Sequence, residues 1–141
     1  MLAKSVDDLE VYKLAFELQR RIFKITKTFP REEMYSLTDQ VRRSSRSVGA
    51  NIREAWAKRR YPAHFVSKLS DSDGFRLVGR SYSSERESEE TIHWILSAHD
   101  CEYIDAVSRD DFKKEYRHVS GMLNKMMDSP DSWCKRYIDK K

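Results

Sequence analysis

Apolar residues recur at three- and four-residue spacing along most of this 141-residue chain, and only four glycines and three prolines interrupt them. At about 100° per residue, positions three and four apart share one helix face, so the pattern selects helices. A many-turned β-fold would need far more turn residues. Val11, Leu14, Ala15, Leu18, Ile22, Ile25 and Phe29 form one such face, which predicts a first helix over about 7–29, ended by Pro30. Val41, Ser45, Val48, Ile52 and Ala55 form the inward face of a second helix over about 37–58, with Ser36 as its cap and Asp39 near its positive end. Phe112, Tyr116, Val119, Leu123 and Met126 line a last helix over about 109–128, capped by Ser108 and stopped at Ser129-Pro130.

The middle of the chain is less regular. After Tyr61-Pro62, Phe65, Val66 and Leu69 give a third helix over about 62–73. The stretch "GFRLVGRSYSS" (Gly74–Ser84) then breaks the pattern with two glycines and three serines. "SERE" (Ser84–Glu87) has the form of a capping box and predicts a helix restarting over about 85–100. Two phases fit that helix, Thr91, Trp94, Ile95, Ala98 and Cys101, or Ile92, Ile95, Leu96 and His99, and both serve if it is buried between neighbours. The tail, 129–141, is either mobile or docked on a neighbour. The expectation is one all-α domain over 1–141, an antiparallel up-down-up-down four-helix bundle whose third helix is interrupted by an insertion.

Two further features bear on function. Tyr12, Phe16 and Phe23 make a second apolar stripe on the first helix, roughly 120° from the first. It reads either as a widened core face or as a subunit interface. Gly49, which costs about 1 kcal/mol relative to Ala inside a helix, reads either as a close packing approach or as a tolerated defect, and is a candidate for the same interface.

Charge is the other feature. "QVRRSSRSVGANIREAWAKRR" (Gln40–Arg60) holds seven Arg/Lys and one Glu, so it carries +6 in a chain whose net charge is +4. On a helical wheel Arg42, Arg46, Arg53 and Arg60 fall within about 40°, with Arg43 flanking them. Within the helix Glu54 is the acidic residue at hand to neutralise them, so the run reads either as a solvated face or as a surface that meets carboxylates elsewhere in the protein or phosphates. Arginine suits bidentate phosphate contact and stacking.

Several function classes lack support. No run of about 18 apolar residues suggests a membrane span, and the N-terminus lacks the apolar core of a signal peptide. Cys101 and Cys134 are far apart, which fits free thiols in a reducing cytoplasm. His93 and His99 sit roughly 240° apart on a helix and do not converge on a metal. No nucleophile elbow or phosphate-binding loop is present, and Glu85, Glu87, Glu89 and Glu90 read as a solvated helix start. No enzyme, cofactor, metal or small-molecule substrate is expected.

"DLEVYKLA", "FPREEMYSLTDQVRRSSRSVGANIREA" and "EETIHWILSAHDCEYI" resemble the bacterial four-helix-bundle proteins encoded in ribosomal-RNA intervening sequences, and look similar to the accessory proteins of diversity-generating retroelements. The likeness spans about 7–73 and 87–127. It implies a bundle commonly assembled as a homopentameric ring, with nucleic acid bound on a basic surface in the retroelement members. This chain departs in having Arg53 after Asn51-Ile52, where small Ala is usual, and in about twelve extra residues near 74–85. Twelve residues in a continuous helix would turn its second half about 120° out of phase, whereas a looped-out insertion would not.

The reading is therefore a non-catalytic, cytoplasmic homo-oligomer, a pentamer by resemblance, that binds RNA or DNA non-specifically. Arg42, Arg43, Arg46, Arg53 and Arg60 would contact phosphates, and Tyr12, Phe16, Phe23 and Gly49 would form the subunit interface. The alternative is a protein-interaction scaffold whose arginines pair with carboxylates across an interface.

Overall fold

A computed structural model describes residues 5–58, 68–69 and 83–128. Four α-helices stand out among them: α1 (Glu10–Thr26), α2 (Leu37–Ala57), α3 (Ser84–Asp100) and α4 (Ala106–Asp128). Single 3₁₀ turns precede α1 at Val6–Asp8 and α2 at Arg31–Glu33. The described residues contain no strand. Each helix packs against its neighbours in a closed cycle, α1 on α2, α2 on α3, α3 on α4 and α4 back on α1. Side-chain contacts give the directions. Arg42, early in α2, meets Thr26 at the end of α1, while Arg53, late in α2, meets Tyr12 near its start. Those two helices run in opposite senses, and Thr91–Ser44 with Ser84–Val48 sets α3 against α2 likewise.

The core follows the sequence periodicity. Val11, Ala15, Leu18 and Ile22 of α1 are buried, as are Val41, Ser45, Val48, Ile52 and Ala55 of α2, and Phe112, Tyr116, Val119, Leu123 and Met126 of α4. Complete burial of a side chain such as Leu18 or Ile22 contributes about 1.5–3 kcal/mol. In α3 the buried residues come from both phases: Thr91, Ile95 and Ala98 are buried together with Ile92, while Leu96 of one phase and Cys101 of the other are exposed. Leu69 is helical and buried. Phe65, Val66, the insertion at 74–82, Arg60 and the tail from 129 lie outside the described residues.

Helix ends depart from expectation. The first helix does not run from 7 to 29. Leu9 is extended and turns inward, separating the 3₁₀ turn from α1, because Val6 and Leu9 both enter the core. At the other end Thr28 and Phe29 donate to carbonyls three residues back, tightening the chain before Pro30 and burying Phe29 against Tyr103. Ser36 precedes α2 but makes no capping bond, since its hydroxyl bonds Glu33 Oε1 at 2.6 Å. The cap of α3 is Ser83, whose Oγ accepts from the Arg86 N–H, not Ser84. Ser84 is buried instead and donates to the Val48 carbonyl at 3.1 Å. Asp105 caps α4 by accepting from the Ser108 N–H at 2.7 Å, so Ser108 is itself inside the helix.

Glu87 corrects another expectation. The run of acidic residues reads as a solvated helix start, but Glu87 is buried on the first turn of α3. Burial first, and then the neighbouring Glu90 carboxyl, push Glu87 up to about 7. A carboxyl raised in the folded state keeps its proton while the unfolded chain loses one near pH 4.5, so stability is full below that value and falls as pH rises toward about 7. Glu87→Gln, neutral throughout, should lack that fall. Thermal melts at pH 5 and pH 8 check this: the variant should gain in Tm over wild type at pH 8 more than at pH 5.

Candidate nucleic-acid interface

The aromatic stripe of α1 and the arginine stripe of α2, separate in the sequence, form one face. Gly49 is buried beneath α1 of its own chain, where an added Cβ would meet Gln19 Oε1 and Tyr12 Cε1 at 3.6 Å each. The Tyr12 ring lies over Gly49, and the rings of α1 meet the guanidinium groups along the edge of α2. The Arg53 Cζ lies 4.9 Å from the Tyr12 ring centre, and the Arg42 and Arg46 Cζ atoms lie 4.8 and 5.7 Å from that of Phe23.

The stripe divides into a neutralised part and a free part. Arg53 Nη2 donates to Asp7 Oδ1 at 2.7 Å and to the Tyr12 hydroxyl at 3.2 Å. The Tyr12 hydroxyl first, and then Asp7, hold its guanidinium above the ordinary value. Arg43 faces Asp39, one turn earlier, at 3.8 Å. Glu54, the acid expected to serve the arginines, pairs with Lys68 at 2.8 Å instead. Arg42 and Arg46 have no carboxylate partner among the described residues. Arg42 Nε donates to the buried Thr26 Oγ1 at 2.8 Å, which in turn donates to the Ile22 carbonyl.

Lys27 joins them, and the wheel of α2 gave no sign of it. Its Nζ sits 4.7 Å from the Phe23 ring centre, on the side chain four residues earlier. Three cations thus surround one phenyl ring, on the order of a Debye length apart or closer. A cation–π contact at an exposed site is worth about 0.5–1 kcal/mol, and two like charges about 4 Å apart in water repel by about 1 kcal/mol. Attraction to the ring and mutual repulsion are comparable, so the cluster gains most from an anion that engages all three.

Further along α1, Arg20 extends the alternation, with its Cζ 5.1 Å from the Phe16 ring centre and its Nη1 2.9 Å from Glu17. Phe16 and Phe23 remain 39% and 38% exposed. Of the residues expected to act, Arg42, Arg46, Arg53, Tyr12, Phe16 and Phe23 share this face, Arg43 stands apart on Asp39, Gly49 lies beneath the face, and Arg60 is outside the described residues. Among the described residues no three His, Cys, Asp or Glu side chains group as they would around a metal ion. Nor is any described helix long and apolar enough to cross a membrane.

Fold and face together define an all-α helical bundle with a cationic, aromatic-backed surface. The model of the 23S rRNA-intervening sequence protein family matches residues 7–125, and the chain belongs to that family. Among solved structures it is similar to a protein of unknown function from the S23 ribosomal protein family of Bacteroides thetaiotaomicron VPI-5482. The two share 23% identity over 84% of this chain and 95% of that one, with a TM-score of 0.65. At that identity the likeness concerns the fold. No curated protein matches the chain at a significant level.

The packing around Gly49 generates a prediction. A Cβ there makes ordinary contacts with the flexible ends of two side chains, while glycine inside a helix costs about 1 kcal/mol relative to alanine. Gly49→Ala should raise the unfolding free energy by up to about 1 kcal/mol in denaturant titrations and leave the light-scattering mass unchanged. A lower mass would place Gly49 at a subunit contact as well.

Proposed function

We propose that this protein is a non-catalytic, cytoplasmic homo-oligomer, a pentamer by its resemblance to ring-forming bundles, that binds RNA or DNA without sequence preference. The observation that carries this reading is the Phe23 cluster: Lys27, Arg42 and Arg46 on one half-exposed ring, with no carboxylate paired to them among the described residues. Phosphates would supply the missing negative charge, and binding would be driven by counterion release. Repeating the cluster in every subunit would raise avidity without any base readout. The second reading, an oligomeric scaffold, is favoured by the exposed Phe16 and Phe23 rings beside arginines, since aromatics and Arg are enriched at protein interfaces.

Salt titration separates the two. With about three phosphates engaged per chain, log K against log salt should have a slope of about −2 to −3 on duplex DNA. Arg46→Gln and Lys27→Gln should each flatten it by about 1. Arg53→Gln should do less, because Asp7 already neutralises that group. Loss of oligomeric mass in Arg46→Gln or Lys27→Gln would favour the scaffold. No binding to any nucleic acid at ~50 mM salt, where phosphate contacts are strongest, would end the nucleic-acid reading.

A further inference from the structure

We propose, building on the nucleic-acid reading, that the ligand of this face is single-stranded and that an unpaired base stacks in the groove beside Tyr12 and Phe16. The groove has a volume of about 470 Å³ and is lined by Asp7, Tyr12, Lys13, Phe16, Glu17, Arg20 and Arg53. It lies on the same surface of α1 as the Phe23 cluster. Phe16 and Phe23 are seven residues apart, or about 10 Å along the helix at 1.5 Å per residue.

Charge sorts the two neighbouring regions. In the groove the cations are matched: Arg53 binds Asp7 at 2.7 Å, Arg20 binds Glu17 at 2.9 Å and Lys13 faces Glu10 at 3.5 Å. A phosphate there would meet two carboxylates. An uncharged planar base would not, and it would cover apolar ring surface. Around Phe23 the cations are unmatched, which suits the phosphates of the same strand. The rings and guanidinium groups of the groove also fit base stacking. Tyr12 and Phe16 have ring centres 6.1 Å apart and planes tilted by 49°. Arg53 and Arg20 each lie over one of those rings, 4.9 and 5.1 Å from its centre. Unpaired bases stack on both aromatic rings and Arg planes. A duplex keeps its base faces inside its own stack, so it offers this groove nothing that the Phe23 cluster does not already use.

The test measures fluorescence anisotropy with a labelled single-stranded oligonucleotide and with a duplex of equal phosphate count, at one salt concentration. Wild type should prefer the single strand. Phe16→Leu, which keeps an apolar side chain at an exposed position, should weaken single-strand binding about tenfold and leave duplex binding unchanged. Phe16→Trp should restore it. Arg46→Gln should weaken both ligands alike. Circular dichroism melts confirm that the variants fold. Equal losses of both ligands in Phe16→Leu, no loss of either, or a preference for duplex would overturn the proposal while the nucleic-acid reading stands. A fall in oligomeric mass in Phe16→Leu would overturn it in favour of a second copy of the chain on this groove. Absence of binding to both ligands in wild type would remove the nucleic-acid reading itself, and this proposal with it.

Discussion

The narrow inner face of α2 is the constraint on which the rest of the structure depends. Ser44, Ser45 and Gly49 are buried there where bulkier residues would hold the neighbouring helices apart. On one side α1 lies over Gly49, and on the other α3 comes close enough for Thr91 to bond Ser44 at 2.8 Å and for Ser84 to reach the Val48 carbonyl. These polar contacts are satisfied inside the bundle, so the small serines fill the interface without leaving buried hydroxyls unpaired. Replacing them with large apolar residues would force the helices apart, which well-packed interiors resist.

Close approach of α1 has an electrostatic consequence. It brings the rings of Tyr12 and Phe23 under the arginines of α2, so cations that repel one another along their own helix rest on the negative faces of a neighbour's rings. The 3₁₀ turn before α1 carries Asp7 to Arg53 and neutralises one end of the row. The residue that ends α1, Lys27, folds back on Phe23 and increases the charge at the other. A uniform basic stripe in the sequence thereby becomes a graded surface, balanced near Tyr12 and Phe16 and positive near Phe23.

Much of this architecture was legible in the chain. Helical periodicity picked out the buried residues of α2 and α4 because a 3.6-residue repeat admits one inward face, and burial of that face dominates the energetics. Helix ends were less legible. Ser36, Ser84 and Ser108 each had the composition of a cap, yet Ser36 bonds Glu33, Ser84 bonds α2, and Asp105 takes the place of Ser108. Capping competes with other partners for the same hydroxyl, and those partners come from elsewhere in the fold. Glu87 was misjudged for a related reason: four acidic residues in six positions suggest solvent, but the phase of α3 against α2 turns one of them inward.

The sequence by itself determined that the chain is helical, which faces are apolar and where its positive charge is concentrated, since each follows from spacing along a single helix. Only the tertiary structure decided which of those charges remain available. Asp7 and Arg53 are 46 residues apart, and Lys27 follows the end of α1 while Arg46 belongs to α2. Ion pairs and cation–π contacts act over a few ångströms, so charge balance on this face was set by the packing of α1 over Gly49 and not by the order of residues along either helix.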